Sequence, residues 1–204
     1  MNNEYYILED EEQLGPFTFN ELIERDIDIY TQVLSPTNEW QYASELPEFN
    51  EYFEAKGIYF PTQDNLAGAG WRTLAFIVDY IILVIIVEII AVQGGWVSLP
   101  TTTKFTMPPP NAVMTLQLMF YGVYLVYHTL FEITGWKGSI GKKLCGLKVV
   151  DLNGQKMGFL QAAGRNLGSI LSLILLVPYL SILLSEYKQE WYDNLAKAYI
   201  IKVN

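Results

Sequence analysis

The sequence predicts a small α+β N-terminal domain followed by an α-helical transmembrane domain that carries a short cytoplasmic β-hairpin. Three observations point there. Charge is split: the first 70 residues hold 15 Asp and Glu against Arg25 and Lys56, a balance of −13, whereas the rest hold 7 acids against 11 Lys and Arg, a balance of +4. Two apolar runs, residues 74–92 and 112–133, have membrane length. The first, at 19 residues, makes about 28 Å of helix against a hydrocarbon core of roughly 30 Å. Short alternating segments, punctuated by Gly15-Pro16 and Asn153-Gly154, flank these runs on either side.

The opening "MNNEYYILEDEEQ" has neither a basic n-region nor an apolar h-region, so no cleaved signal is expected and the N-terminal domain stays cytoplasmic. Residues 5–8 read as a strand, followed by an acidic turn and Gly15-Pro16. A helix is expected from Thr18, with Glu21 three residues on completing a capping box and Leu22 and Ile23 turned inward. A strand at 31–34, the turn "SPTNE", Trp40 and Ala43 close the unit. Tyr5, Tyr6, Phe17, Phe19, Trp40 and Tyr42 are many aromatics for so short a stretch, and a core role accounts for them, because so small a domain is marginal without dense packing. "YYILEDEEQLGPFTFNEL" and "TQVLSPTNEWQYASEL" resemble the GYF-like domain found at the N-terminus of many bacterial membrane proteins. Founding GYF domains bind proline-rich peptides on an aromatic patch. The resemblance, over residues 1–46, therefore implies a partner-binding site at Tyr6, Phe17 and Trp40, with another protein as partner.

Residues 47–70, with Pro47, Pro61 and "LAGAG", read as a linker containing a short helix at 48–56. Residues 71–204 then form the membrane domain, with helices expected over 72–92 and 112–133 and a broken or re-entrant segment over 160–186. The loop between the first two helices carries one Lys, whereas the loop after the second carries Lys137, Lys142, Lys143, Lys148 and Lys156. The positive-inside bias puts that second loop, and hence both termini, in the cytoplasm. "LKVVDLNGQKMGF" alternates and turns on Asn153-Gly154, which predicts the β-hairpin, and "AKAYIIKVN" reads as a strand. The apolar run 169–185 is interrupted by Pro178 and fits one short crossing or a re-entrant hairpin; the basic residues on both flanks favour re-entry.

A charge at bilayer depth is costly and normally faces a protein interior. Arg72 and Asp79 are seven residues apart, on one helix face, with Glu88 on the opposite face. On the second helix Gln117, Tyr121, Tyr124 and His128 follow i, i+4, i+7, i+11, and Glu132 continues the line. This stripe fits inter-helix hydrogen bonding or a polar path in which His128 exchanges a proton near neutral pH. "AGAGWRTLAFIVD", "GWKGSIGKKLCGLKVVDLNGQKMGFLQAAGRNL" and "EWYDNLAKAYII" resemble the three signature regions of the RDD family of membrane proteins, named for one arginine and two aspartates. These map onto Arg72, Asp79 and Asp193, with Tyr192 where the family usually has a histidine. Arg72 and Asp79 share a face and a re-entrant last run returns Asp193 to the same leaflet, so one buried polar cluster of the three is expected near the cytoplasmic side, with Glu88 outside it. The resemblance implies the proposal made for some members, transport that includes cation/proton exchange.

One His and one Cys, with no "HExxH" and no Ser/His/Asp constellation, leave no catalytic residue, metal site or cofactor to expect. "GWKGSIGKK" lacks the spacing of a phosphate loop, and the acidic N-terminal domain argues against nucleic acid. Two functions remain for a multi-pass protein of the bacterial inner membrane whose first partner is the lipid bilayer. One is an adaptor or assembly factor. The other is a small transporter, a homo-oligomer by necessity of its size, with Arg72, Asp79 and Asp193 as its ion site.

Overall fold

A computed structural model describes residues 4–35, 39–96, 110–175, 185 and 187–203. The chain forms two compact units, the first of residues 1–60 with Asn153–Gln155 and the second of the remainder.

In the first unit, β1 (Tyr5–Glu9) and β2 (Glu12–Phe17) form a hairpin, α1 spans Phe19–Glu24, and β3 (Gln32–Leu34) and β4 (Trp40–Tyr42) complete an antiparallel sheet of order β2-β1-β3-β4. The expected capping box is present: Glu21 donates its backbone N–H to Thr18 Oγ1 and accepts the Thr18 N–H at 2.7 Å. Leu22 is buried beneath it and Ile23 half-buried. Tyr5, Ile7 and Val33 point to one face of the sheet, where Leu22, Ile27 and Ile29 meet them. Gly15 lies at φ +140°, and a Cβ there would stand 2.8 Å from the Tyr5 carbonyl oxygen, so only glycine lets β2 approach β1 so closely.

The linker expected over 47–70 is in part core. A 3₁₀ turn at Pro47–Phe49 leads into α2 (Asn50–Ala55), and Phe49 and Phe53, one helical turn apart, are fully buried against Tyr5 and Leu22. A sheet with one apolar face needs a lid, and α1 alone covers too little of it. The first unit accordingly runs to Phe60.

In the second unit α3 (Ala69–Gln93) and α4 (Pro110–Glu132) are long, α5 (Ile140–Leu144) and α7 (Trp191–Leu195) short, and α6 spans Phe159–Leu175. The hairpin expected around Asn153-Gly154 does not form. Gly154 makes the bend, at φ +72°, but residues 156–158 carry no strand, and β5 (Leu147–Val150) pairs antiparallel with the C-terminal β6 (Tyr199–Lys202) instead. The Asn-Gly signal specifies a turn but not what the returning chain pairs with. Val149 and Val150 are buried on opposite faces, and Ile200 and Ile201 match them on both. Whether 169–185 crosses or re-enters turns on 176–184, which lie outside the described residues.

Burial on the long helices is inverted relative to a soluble protein. α3 buries Arg72 and Asp79 along with Ala75, Leu83, Val87 and Ala91, and exposes Leu74, Ile77, Ile81 and Ile85 as well as Glu88. α6 buries Arg165, Asn166, Ser169 and Ser172 and exposes Leu160, Leu167 and Leu171. Only 28% of the most apolar stretch of α3 and 22% of that of α4 are buried, whereas the core helix of a soluble protein would be mostly covered. Both helices are long and apolar enough to cross a membrane.

Phe53→Ala should destabilise the first unit by about 3–5 kcal/mol, the usual cost of removing a buried phenylalanine. Thermal unfolding followed by near-ultraviolet circular dichroism measures it; a loss below about 1 kcal/mol would return this segment to the role of a linker.

Candidate functional site

The second unit holds a chain of buried ion pairs. Arg72, in the first turn of α3, donates Nε to the Ala67 carbonyl at 3.1 Å and Nη1 to Asp193 Oδ2 of α7 at 2.8 Å. Arg165 of α6 reaches the other Asp193 oxygen through Nε and Nη2, both at 2.7 Å, and turns Nη1 to Glu132 Oε1 at 2.7 Å. Glu132, at the end of α4, also accepts from Lys142 Nζ of α5 at 2.6 Å and from Asn166 Nδ2 at 2.9 Å. The series Arg72, Asp193, Arg165, Glu132, Lys142 alternates in sign and ties five helices together.

Both carboxylates have no exposed surface. Burial alone pushes the Asp193 carboxyl up, but the Arg165 and Arg72 guanidiniums outweigh it and hold it below the ordinary aspartate value. Their stabilising pull is present above the unfolded aspartate pKa and is lost as pH falls through the lower folded value.

Asp79 is engaged elsewhere. It accepts from Tyr127 Oη of α4 at 2.8 Å, from the Ser139 hydroxyl and from the Gly141 backbone N–H of α5 at 2.8 Å. Gly141 is required here, since a Cβ would run into the Ala75 carbonyl oxygen and the Asp79 carboxyl. Of the expected three-residue cluster, the structure pairs Arg72 with Asp193 and gives Asp79 a separate set of donors. Two helical turns rise about 10.5 Å, too far for one guanidinium to bridge, so residues that share a face find different partners. Glu88 is exposed.

The stripe on α4 divides. Gln117 donates to Tyr121 Oη at 3.0 Å on a partly exposed face beside a groove between α3 and α4, whereas Tyr124 meets Ser169 at 2.8 Å, His128 is buried beside it, and Glu132 joins the ion pairs. Arg165, Asn166 and Lys142 are members of the ion-paired set that the residue pattern did not single out. Arg165, Asn166, Ser169 and Ser172 form a polar stripe on α6 at i, i+1, i+4 and i+7, the same signal that marks α4, interleaved with leucines on the other face.

In the first unit Tyr6 pairs across the sheet with Leu34, and Leu34 with Trp40, so the three form one row on the face away from the core. Leu8 and Tyr42 extend that face, which is exposed by 41% at Trp40 and 43% at Tyr42. Phe17 stands opposite Tyr5 on the core side, under the Arg25 guanidinium at 4.5 Å. The structure thus brings Tyr6 and Trp40 together and leaves Phe17 apart. Among the described residues, no group of three His, Cys, Asp or Glu is placed to hold a metal ion.

A double-mutant cycle on Arg72→Met and Asp193→Asn should show coupling above about 1 kcal/mol, because removing one partner strands a buried charge. The cycle on Arg72→Met and Asp79→Asn should be additive within about 0.5 kcal/mol. Unfolding in detergent measures both; the opposite order would restore the Arg72–Asp79 pair.

The chain matches the RDD family over residues 66–197, well over half its length. It is 27% identical over 146 residues to Uncharacterized protein YxaI of Bacillus subtilis (strain 168), an alignment that covers 66% of this chain and 96% of that protein. No solved structure matches it. The range of the family match contains Arg72, Asp79, Asp193 and the ion pairs around them, and the chain belongs to the RDD family as a membrane-associated protein with two helices long and apolar enough to cross a bilayer.

Proposed function

We propose that this RDD protein is a multi-pass adaptor of the bacterial inner membrane: α3 and α4 cross the bilayer, the ion-paired helices lock them together, and the first unit binds an extended, apolar or proline-rich segment of another protein in the cytoplasm. The observation that carries the proposal is the outward face of the sheet. Tyr6, Leu8, Leu34, Trp40 and Tyr42 lie there together, while the core is filled by a different set, Tyr5, Ile7, Val33, Phe49 and Phe53. Aromatic rings on an exposed, rigid surface are suited to a polyproline-type ligand, whose low conformational entropy favours binding to a flat aromatic patch. Among the described residues, Tyr42 lies on β4, an edge strand, where an extended segment can also reach backbone groups. The likeness of this region to GYF-like domains supports the same use.

The inverted burial of α3 and α6 and the lysine difference between the two loops support the topology, with both termini and the loop after α4 in the cytoplasm. Ion exchange at Arg72, Asp79 and Asp193 is the weaker reading, since each carboxylate oxygen of both aspartates already accepts at least one internal hydrogen bond.

Trp40→Ala should leave the melting temperature of the full chain within about 2 °C of wild type, because a half-exposed side chain outside the core contributes little. It should weaken binding of fluorescent proline-rich peptides at least tenfold, about 1.4 kcal/mol. A panel in which no peptide binds, or binding equal in the variant, would overturn the adaptor role. Single cysteines at Lys104 and Gln155 in a Cys145→Ser background should label from outside and inside respectively with an impermeant reagent; the reverse would overturn the topology.

A further inference from the structure

Where α3, α4, α6 and α7 meet, the second unit lines a partly open cavity of about 60 Å³. Arg72, His128 and Glu190 line it, each at least nine-tenths buried. Among the described residues, Arg72 Nη2, both His128 ring nitrogens and Glu190 Oε2 have no hydrogen-bond partner. Buried polar atoms are almost always satisfied, so four orphaned atoms around one small space mark a site that takes a polar ligand.

We propose that this cavity is a hydrated proton-binding site, in which Glu190 takes up a proton from bulk water and hydrogen-bonds, through ordered water that also accepts from Arg72, to the neutral imidazole of His128. The geometry selects the ligand. An anion would satisfy Arg72 Nη2 but would face Glu190 and Asp193; a cation would satisfy Glu190 Oε2 but would face the Arg72 guanidinium. Water donates and accepts, and a cavity of this size has room for more than one molecule.

Charge selects the protonation state. Arg72 on α3, Arg165 on α6 and Lys142 on α5 are positive, and Asp79 on α3, Glu132 on α4 and Asp193 on α7 are negative, so these six balance. Tyr124 and His128 on α4 and Tyr192 on α7 are the other titratable groups at the site. An ionised Glu190 adds an unopposed negative charge; a protonated one leaves the site neutral. Burial first, and the neighbouring Asp193 second, push the Glu190 carboxyl up to about 7. Its folded value lies above its unfolded value. Glu190 therefore contributes stability that is fully present below the unfolded glutamate pKa and is lost as pH rises through the folded one.

Proton uptake by the full chain in detergent, titrated from pH 8 to pH 6, should exceed that of Glu190→Gln by about one proton per chain. In wild type alone, infrared difference spectra over the same range should show a protonated carboxyl band, a readout that does not depend on the variant folding. Replacing sodium chloride by choline gluconate at constant ionic strength should leave both unchanged. Equal uptake by the two proteins, absence of the band, or a titration that moves with sodium or chloride would overturn the proposal, the last in favour of an ion site.

Discussion

Glu132 and Asp193 have no solvent-exposed surface, and the second unit is arranged around keeping them charged. An isolated carboxylate at such depth would take up a proton or disrupt the fold, and breaking a buried pair by removing one partner typically costs about 3–5 kcal/mol. Arg165 satisfies both at once. Its three nitrogens reach α4 and α7, and the planar fork of a guanidinium does this where a lysine ammonium could not. Arg72 and Lys142 then end the series on α3 and α5. Close approach makes those bonds short, and glycine makes the approach: Gly141 seats α5 on Asp79, and at Gly168 a Cβ would come within 2.6 Å of Tyr192 Cβ, where α6 meets α7.

The same arrangement explains why an otherwise lipid-compatible helix carries an arginine and an aspartate. With Arg72 and Asp79 turned inward, the outward faces of α3 and α6 are largely leucine and isoleucine, joined by Trp71, Tyr80 and Phe159, and Glu88 is the exposed charge on α3. In the bilayer placement proposed above there is no hydrophobic drive for helices to associate, so small residues and polar pairs have to hold them, and the polar pairs of this unit are ionic. The first unit follows the opposite rule. Its apolar residues face inward under α1 and α2, and the aromatics on its outer face are the exception on which the proposed adaptor role rests.

Much of this was legible from residue spacing. The charge split, the two long helices, the Thr18–Glu21 cap and the strand at the C-terminus follow from local patterns that the structure keeps. Phe49 and Phe53 were hidden by the Pro47 that precedes them, since proline suggests a linker but also starts a helical turn. The pairing of β5 with β6 joins residues about 50 apart, for which a turn signal says nothing. At the site, periodicity placed Arg72 and Asp79 on one face and could not say which carboxylate each donor would meet. That depends on Arg165, a residue visible only as one member of the polar stripe on α6.

If the second unit is polar inside and apolar toward lipid, as proposed, the two faces of α6 differ in what can reach them. Spin labels placed in turn at residues 158–172 of the reconstituted protein, with accessibility to oxygen and to a water-soluble nickel complex measured at each, test it most directly. The account predicts oxygen accessibility peaking at Leu160, Leu167 and Leu171, with minima to both reagents at Arg165, Asn166 and Ser169. High accessibility to the nickel complex at the three leucines would contradict it.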